Sequence, residues 1–283
     1  MIVAAIAYNN LTPEQKKWAI EILRHHEQAA KWEAEVEADD ATLDEGVVLF
    51  MGAAKWPDEI KFGHSPWNHK EWHFVDYPLT PPDFEQKPSP APKNDIVFAI
   101  DLCTNKLKDP TVSDSDKANW LAWLIHLTGD ITQPLHCCAL VNDDFQAPEG
   151  DRGGNLFFVR AGSGKGVSLH KMWDDATGTS KGFHAKQLRG YSNQAIKLCK
   201  DIKRESLMEL KLHTTPDAWA RESWQIAMDV VYLRGRLEYG QSADSAVLLP
   251  PNYTKVLKST AERRVALAGY RLASQIEGIN GNP

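Results

Sequence analysis

A histidine and an aspartate in the segment 121–136 have the spacing of a metal-binding pair. His126 and Asp130 are four residues apart, so on a helix they share one face, with Cβ atoms roughly 5–6 Å apart. That spacing allows both side chains to converge on one metal ion. The Gln-Pro pair at 133–134 can turn the chain, so we expect His136 to point back toward the same cavity.

His170 and Asp174 repeat this spacing in an apolar setting. For either pair alone, the simpler interpretation is a satisfied core histidine beside a capping or ion-paired aspartate. Two such pairs together with His136 favour a metal site. Imidazole and carboxylate ligands without thiolates suit catalytic Zn²⁺ better than structural zinc. Because the cluster offers more ligands than one tetrahedral ion needs, it predicts at least two metals, an arrangement suited to phosphate ester hydrolysis.

The composition is that of an ordinary globular protein. The chain of 283 residues is long enough for a large core, and its net charge of −6 argues against a protein that grips polyanions over a broad surface. The sequence contains no run of about eighteen apolar residues, so we expect no membrane span. Its four cysteines form no Cys-x-x-Cys pair, which argues against a zinc ribbon and leaves disulfide pairing open.

The hydrophobic periodicity is mostly helical. Thr12 and Pro13 have the pattern of an N-cap and a first helical residue, and the apolar residues 1–8 are expected to lead into that helix. The proline-rich segment 78–93 predicts an irregular connection, and the β-like run 155–159 between glycines predicts a small hairpin. We therefore expect a mainly α, single-domain multi-helix bundle with one small β-hairpin. Further helices are predicted over 43–54, 94–108, 114–130, 184–200, 217–238 and 254–277.

Seven segments occur in the order found in one known family. They are KWPDEIK at 55–61, EWHFVDYP at 71–78, HLTGDITQPLH at 126–136, GDRGGN at 150–155, LHKMWD at 169–174, WARES at 219–223 and AGYRLA at 268–273. With these motifs the chain resembles the class I nucleases, the single-strand-specific zinc nucleases of fungi and plants, over nearly its whole length. That family is related to the bacterial zinc phospholipases C, so the resemblance implies a helical bundle of that type as one domain over residues 1–283.

The resemblance implies three zinc ions in the family and two complete zinc sites in this chain. The implied ligands are four histidines and three aspartates: Asp58, His73, His126 and Asp130 for one zinc, and His136, His170 and Asp174 for another, more accessible zinc. Asp130 would also bridge to a partner zinc, and Asp58 would also orient the attacking water. These seven side chains are net negative without metal, and two Zn²⁺ would make the site net positive on an acidic protein.

The resemblance also implies residues that bind the substrate and stabilise its charge. Lys61 stands where the family usually has an arginine that steadies charge on the phosphate. Lysine keeps the charge but loses the bidentate fork. Phe74 and Asp76 would form a nucleobase pocket, in which the ring stacks on a base and the carboxylate accepts a hydrogen bond from its edge. Asn155 would contact the nucleotide or its phosphate.

Each of these four residues has a simpler interpretation that the sequence leaves open. Phe74 fits a core position, and Lys61 fits a solvated surface position. Asp76 and Asn155 both fit turns. The substrate-binding roles therefore depend on the resemblance alone.

Two of the implied metal ligands also have local alternatives. Asp58 follows a proline and fits a helix N-cap. His69, four residues before His73, would also suit a helical metal pair. We favour His73 because it lies inside the matching motif.

The given chain departs from the family at its N-terminus. Family members begin, after signal cleavage, with a tryptophan that is followed five residues later by a histidine, and these two residues complete the third zinc site. The match in this chain starts one residue after that histidine, so both ligands are missing. We expect a truncated start, because the match resumes at Met1. A natural chain with only two complete zinc sites is the alternative.

The sequence thus predicts a zinc-dependent phosphodiesterase that cuts single-stranded DNA or RNA to 5′-phosphorylated products and also removes 3′-phosphate from nucleotides. The resemblance implies a secreted or periplasmic monomer without an obligatory protein partner, although the given chain has no recognisable signal peptide. A zinc phospholipase C would share all seven ligands but would not need a nucleobase pocket at Phe74 and Asp76. A non-catalytic zinc-binding or nucleotide-binding relative is the third interpretation.

Overall fold

A computed structural model describes residues 1–37, 43–81, 94–178 and 182–281. The predicted mainly α fold is confirmed. Within these ranges, no helix is both long and apolar enough to cross a membrane. Most of the predicted connection at 78–93 lies outside the described residues. The described helices are α1 (Ile2–Asn9), α2 (Pro13–Leu23), α3 (Ala29–Glu37), α4 (Glu45–Glu59), α5 (Ile96–Lys108), α6 (Asp114–Asp130), α7 (Leu169–Asp174), α8 (Ala185–Asp201), α9 (Glu209–Leu212), α10 (Pro216–Ile226) and α11 (Tyr253–Asn280).

Polar side chains set where several helices begin. The Thr12 hydroxyl accepts a hydrogen bond from the Gln15 backbone N–H, while the Gln15 side chain accepts one from the Thr12 N–H, which completes a capping box around Pro13. Asp44 and Ser113 cap α4 and α6, because their side chains accept hydrogen bonds from backbone N–H groups of the first turn. The predicted start of α2 at Pro13 is confirmed, and the two other caps define helices whose C-terminal ends carry candidate metal ligands.

The helix α6 lies at the centre of the helical core. Its residues 121–128 are all buried, and it packs against α2, α4, α5 and α11. Helix α1 packs closely on α11, where a Cβ atom on Gly269 would lie 2.3 Å from the Ile6 side chain. The first residues of the chain therefore form a helix of their own on α11. The expectation that they lead directly into the next helix is wrong.

Five short strands complete the described fold: β1 (Pro78–Leu79), β2 (Ala139–Leu140), β3 (Phe158–Arg160), β4 (Val167–Ser168) and β5 (Val247–Leu248). Strand β1 pairs in parallel with β2, whereas β3 pairs antiparallel with β4 and parallel with β5. The predicted hairpin is the β3–β4 pair. Its first strand begins at Phe158 rather than at Asn155, because the intervening residues belong to the preceding turn.

The predicted helix over 217–238 is only partly correct. Helix α10 ends at Ile226 and continues as a π-helical turn over Ala227–Val231. Leu233 and Arg234 then adopt left-handed backbone conformations, with φ of +51° and +60°. Such conformations are uncommon for residues other than glycine and cannot continue a right-handed helix. The helix therefore stops well before the apolar pattern does.

Candidate metal centre

Four candidate ligands converge from three separate elements. Asp58 lies near the end of α4, His73 ends a 3₁₀ turn over Lys70–His73, and His126 and Asp130 lie one turn apart at the end of α6. The Oδ2 atom of Asp130 is 2.9 Å from His126 Nε2 and 3.0 Å from His73 Nδ1, and these two nitrogens are 2.8 Å apart. Asp58 Oδ1 is 3.8 Å and 3.9 Å from the same two nitrogens. These four residues are the first group.

His136, His170 and Asp174 form the second group. His136 lies in a 3₁₀ turn over Pro134–Cys137, and the other two residues lie one turn apart on α7. Oxygens of Asp174 are 3.8 Å from His136 Nε2 and 3.5 Å from His170 Nε2, and the two imidazole rings stack with centroids 4.9 Å apart. Asp130 joins the two groups, because its Oδ2 atom is also 3.7 Å from His136 Nδ1.

Backbone carbonyl groups fix the orientation of three of the four imidazoles. The Nδ1 atoms lie 2.7, 2.8 and 2.8 Å from carbonyl oxygens in three pairs: His126 with Ala54, His136 with His73, and His170 with Gly153. Because a carbonyl oxygen only accepts, each Nδ1 carries a proton, and in its neutral form the ring would present an Nε2 lone pair to the group. Hydrogen bonds of this kind hold metal-binding histidines in the correct tautomer and orientation.

The turn 150–155 is built around a buried carboxylate. Asp151 is fully buried, and its side chain accepts hydrogen bonds from the Leu140 backbone N–H at 2.9 Å and from the Tyr232 hydroxyl at 2.6 Å. A buried carboxylate needs such partners, because its desolvation is costly. Asp151 therefore fixes the turn to both β2 and the segment after α10.

Gly153 in this turn supplies the carbonyl that holds His170. Its φ is +59°, and a Cβ atom at this position would lie 2.3 Å from the Leu135 carbonyl oxygen. Glycine adopts a positive φ without steric cost, and its missing side chain allows this close approach. The GDRGGN motif thus positions a metal-ligand candidate through the backbone.

The first group has strongly perturbed acid–base properties. Burial lowers the pKa of His73 to about 4, which keeps its ring neutral at pH 7. Burial by itself raises the pKa of Asp130. The charges of His126 and His136, together with hydrogen bonds from His126 and His73, outweigh burial and hold this pKa well below its usual value. Asp130 is therefore an ionised carboxylate, ready to bind a cation.

In the second group, the His136 ring is protonated at the position where a metal cation would bind. Burial alone lowers the pKa of His136, but the negative charges of Asp130 and Asp174 and a hydrogen bond with Asp174 raise it to about 9. At neutral pH both nitrogens of the His136 ring therefore carry a proton in the metal-free protein, and the ring is positively charged. A metal ion bound through Nε2 would displace that proton.

The donor atoms fit divalent zinc. The ligand atoms of Asp58, His73 and His126 all lie within 4.8 Å of one another, and so do those of the second group. In the first group, two imidazole nitrogens and a carboxylate oxygen face one another in a largely buried site, an arrangement that a cation would stabilise. Nitrogen and oxygen donors at about 2.0–2.2 Å are those that catalytic zinc uses.

Both groups open into one cleft with a volume of about 720 Å³. Five of the seven candidate ligands line it: Asp58, Asp130, His136, His170 and Asp174. The predicted phosphate-binding residue Lys61 also lines the cleft, and its Nζ atom is 2.6 Å from Asp58 Oδ1. The cleft thus places a flexible cation beside the candidate metal ligands.

None of the three predicted substrate-binding residues is among the described residues that line this cleft. Phe74 is 39% exposed, which is unusual for a core phenylalanine. Asp76 is half-buried, and burial together with the charge of Asp151 raises its pKa to about 6. Asn155 is exposed, and its side-chain nitrogen donates a hydrogen bond to the Arg152 carbonyl at 2.9 Å. Their roles stay predictions.

The structure separates the two histidines that compete for one ligand position. The His69 ring stacks on Trp72 with centroids 3.7 Å apart and belongs to neither group. His73 lies in the first group. Helical spacing alone does not distinguish them: the sequence motif favours His73, and the structure places His73 with the other candidate ligands.

Three further residues at the cleft were missed by sequence reasoning. Gln133 donates a hydrogen bond to Asp174 Oδ1 at 3.0 Å and so orients a candidate ligand, although the sequence suggested only a turn. Phe62 lines the cleft and is 95% exposed. Arg264 also lines the cleft but is otherwise buried. The only sequence signal was for Gln133, which lies inside the His-x-x-x-Asp-x-x-Gln-Pro-Leu-His motif.

Comparison with known proteins gives matches along nearly the whole chain. The family model described as S1/P1 Nuclease matches residues 1–280. Nuclease P1 of Penicillium citrinum is 27% identical, over 99% of this chain and 96% of its own length. Nuclease S1 of Aspergillus oryzae is 24% identical over 85% and 82%, and Endonuclease 4 of Arabidopsis thaliana is 25% identical over 79% and 75%. This chain therefore belongs to the S1/P1 nuclease family.

Proposed function

We propose that this protein is a zinc-dependent nuclease. It would hydrolyse phosphodiester bonds in single-stranded DNA or RNA to 5′-phosphorylated products and would remove 3′-phosphate from nucleotides. The observation that carries the proposal is the convergence of the two ligand groups in one cleft, with Asp130 between them. The names of its relatives, two fungal nucleases and a plant endonuclease among them, support the same class of activity.

We propose that the first and second groups each hold at least one zinc ion. Bound zinc would act as a Lewis acid toward the phosphate. It would also lower the pKa of a zinc-bound water, so that hydroxide is available at neutral pH. The chain contributes the orientation of its ligands. Nδ1–H groups held by backbone carbonyls leave the Nε2 atoms of His126, His136 and His170 facing the cleft or the other ligands. These three histidines are thus oriented without bound metal.

The open side of the first group would position the reacting atoms. The Asp58 side chain is 55% exposed, so its carboxylate can accept a hydrogen bond from the attacking water while it binds metal. The Lys61 ammonium, already beside Asp58, would contact a phosphate oxygen and stabilise the charge that builds up there. Both residues act at the same rim of the cleft.

The substrate preference would come from Phe74, Asp76 and Asn155. Phe74 follows His73 and exposes part of its ring, which suits stacking on a base. Asp76 would accept a hydrogen bond from the base edge, and Asn155 would contact the nucleotide.

We further propose that the protein is a secreted or periplasmic monomer, with a single domain over 1–283.

The experiment compares substrates and two matched phenylalanine variants. Hydrolysis of single-stranded DNA, RNA, a 3′-nucleotide and phosphatidylcholine is measured with zinc and after chelation. Phe74→Ala is compared with Phe98→Ala, since Phe98 on α5 has a similar exposure of 43% but lies outside the EWHFVDYP motif that contains Phe74. Loss of one base-stacking contact, worth about 1–3 kcal/mol, is expected to raise KM for single-stranded DNA about 5–150-fold in Phe74→Ala only.

Two outcomes would contradict the proposal. Activity on phosphatidylcholine alone would make the protein a lipid phosphodiesterase. Zinc-loaded, folded protein without activity on any of the four substrates would make it a non-catalytic relative. An equal KM in both phenylalanine variants would leave the nuclease activity intact but overturn the base-stacking role of Phe74.

A further inference from the structure

Three charged side chains are buried together between α10 and α11. The Glu222 side chain is 8% exposed, and Arg264 and Arg271, two helical turns apart on α11, are 4% and 2% exposed. Arg271 donates hydrogen bonds to both oxygens of Glu222, at 3.2 Å and 2.9 Å, and Arg264 NH1 donates to the same carboxylate. Glu222 lies in the WARES motif and Arg271 in the AGYRLA motif, for which the proposed function gives no role.

This cluster has more positive than negative charge. Two guanidinium groups share one carboxylate, and the His213 ring contacts that carboxylate as well. Burial lowers the pKa of each arginine to about 9, so both are still charged at neutral pH. Buried ion pairs often add little net stability, because desolvation offsets their attraction. Fold stability alone is therefore a weak explanation for the cluster.

The cluster is hydrogen-bonded to two backbone carbonyls beside the candidate metal centre. The Nε atom of Arg264 donates to the Thr132 carbonyl at 2.9 Å, and its NH2 group donates to the Ser223 hydroxyl at 2.6 Å. Ser223, itself fully buried, donates that hydroxyl to the Ile131 carbonyl at 2.5 Å. All three nitrogens of Arg264 are thus engaged, and two of its contacts lead to consecutive residues of one turn.

That turn connects the two ligand groups. Ile131 and Thr132 follow Asp130 directly and precede the 3₁₀ turn that carries His136. The last carbonyls of a helix lack partners within the helix, and a cation is favourable at this negative end. Arg264 and Ser223 donate to the carbonyls of the two residues that directly follow α6, Thr132 and Ile131. The spacing between Asp130 and His136 is therefore set by contacts from α10 and α11.

We propose that Glu222, Ser223 and Arg264 are positioning residues that fix the turn between Asp130 and His136, so that one segment delivers ligands to both metal sites. Glu222 orients the Arg264 guanidinium, and Arg264 and Ser223 hold the two carbonyls. This inference rests on the proposed zinc-dependent function. In this proposal, the WARES motif positions the metal ligands and does not contact the substrate.

The test uses two mild variants and one matched control. Ser223→Ala removes a single hydroxyl, and Arg264→Lys keeps the charge but loses the planar fork. The control is Arg263→Ala: the neighbouring Arg263 makes a bidentate ion pair with Glu209 at 2.8–3.0 Å, away from the turn. The zinc dissociation constant by chelator competition, kcat and KM on single-stranded DNA, and the urea midpoint of metal-free protein are measured for each.

Loss of a residue that orients metal ligands typically costs about 10–100-fold in metal affinity or activity. We expect Ser223→Ala and Arg264→Lys to weaken zinc binding and lower kcat by that factor, with KM changed less than about 2-fold. Arg263→Ala should leave zinc affinity and kcat unchanged. If the first two variants keep wild-type zinc affinity and kcat while their urea midpoints fall, the cluster only stabilises the fold and the inference is wrong. A wild-type protein that binds no zinc would overturn the proposed function as well.

Discussion

Replacement of Gly153 by alanine should disturb the second ligand group without touching a ligand. The residue has φ of +59°, and its carbonyl oxygen accepts the hydrogen bond from His170 Nδ1 at 2.8 Å. A Cβ atom there would lie 2.3 Å from the Leu135 carbonyl oxygen, a backbone atom that cannot rotate away. The turn must therefore shift, and the carbonyl that orients His170 must move with it.

Gly162 separates the effect of this clash from that of backbone conformation. It has a similar φ of +55°, but a Cβ atom would meet no other atom within 4 Å. A left-handed conformation costs a residue other than glycine roughly 1–2 kcal/mol. Gly162→Ala should lose about that much stability and no zinc affinity. Gly153→Ala should lose more stability and, because the orientation of His170 is disturbed, about 10–100-fold in zinc affinity.

Urea unfolding of the metal-free proteins gives the free energies of unfolding, and competition with a chelator gives the zinc affinities. The predicted result is a loss of zinc affinity in Gly153→Ala that is absent from Gly162→Ala. Equal zinc affinity in the two variants would refute the idea that the turn 150–155 positions His170 through its backbone. Equal stability would refute the steric part of the reasoning.

Three further predictions concern Lys61, bound metal and His26. Lys61→Ala should lower kcat/KM on single-stranded DNA about 10–150-fold, because a hydrogen bond to a charged group contributes about 1.5–3 kcal/mol. Lys61→Arg should keep wild-type kcat/KM or exceed it. Chelation should lower the thermal midpoint and added zinc should restore it, since metal binding stabilises the folded state; an unchanged midpoint would contradict this. Burial lowers the pKa of His26 from 6.5 to about 4. The neutral His26 ring therefore contributes fully to the free energy of unfolding above pH 6.5, and about 3 kcal/mol of this contribution is lost as the pH falls toward 4. His26→Asn, which keeps an acceptor for the Gln28 N–H, should therefore lose less unfolding free energy in urea between pH 7.5 and 4.5 than the wild type, and an equal loss would contradict the assignment.

Much of the helical framework could be predicted because its signals are local. The Thr12 cap, the start at Pro13 and the spacing of His126 from Asp130 each depend on residues within one or two turns. Helix α10 shows the limit of this reasoning, because its end depends on left-handed conformations at Leu233 and Arg234 that their residue types rarely adopt. The hydrophobic period continues past the point where the backbone leaves the helix.

The convergence of the two ligand groups could not be derived from spacing alone. It depends on long-range contacts such as that of Asp151 with Tyr232 and the hydrogen bond from His136 to the His73 carbonyl. The buried role of Arg264 was hidden for the same reason, since arginines on a long helix usually indicate a solvated face. Spacing indicated His126, Asp130, His136, His170 and Asp174 as candidate ligands, whereas Asp58 and His73 were identified only by the family resemblance, which did not explain what orients them.

The most direct test is an anomalous-scattering map at the zinc edge from crystals grown with ample zinc. The map counts the metals and identifies the atoms around each one. We expect one peak bound by Asp58, His73, His126 and Asp130, and another bound by His136, His170 and Asp174. A map without a peak within bonding distance of these side chains, or with peaks only elsewhere on the protein, would contradict the proposed centre.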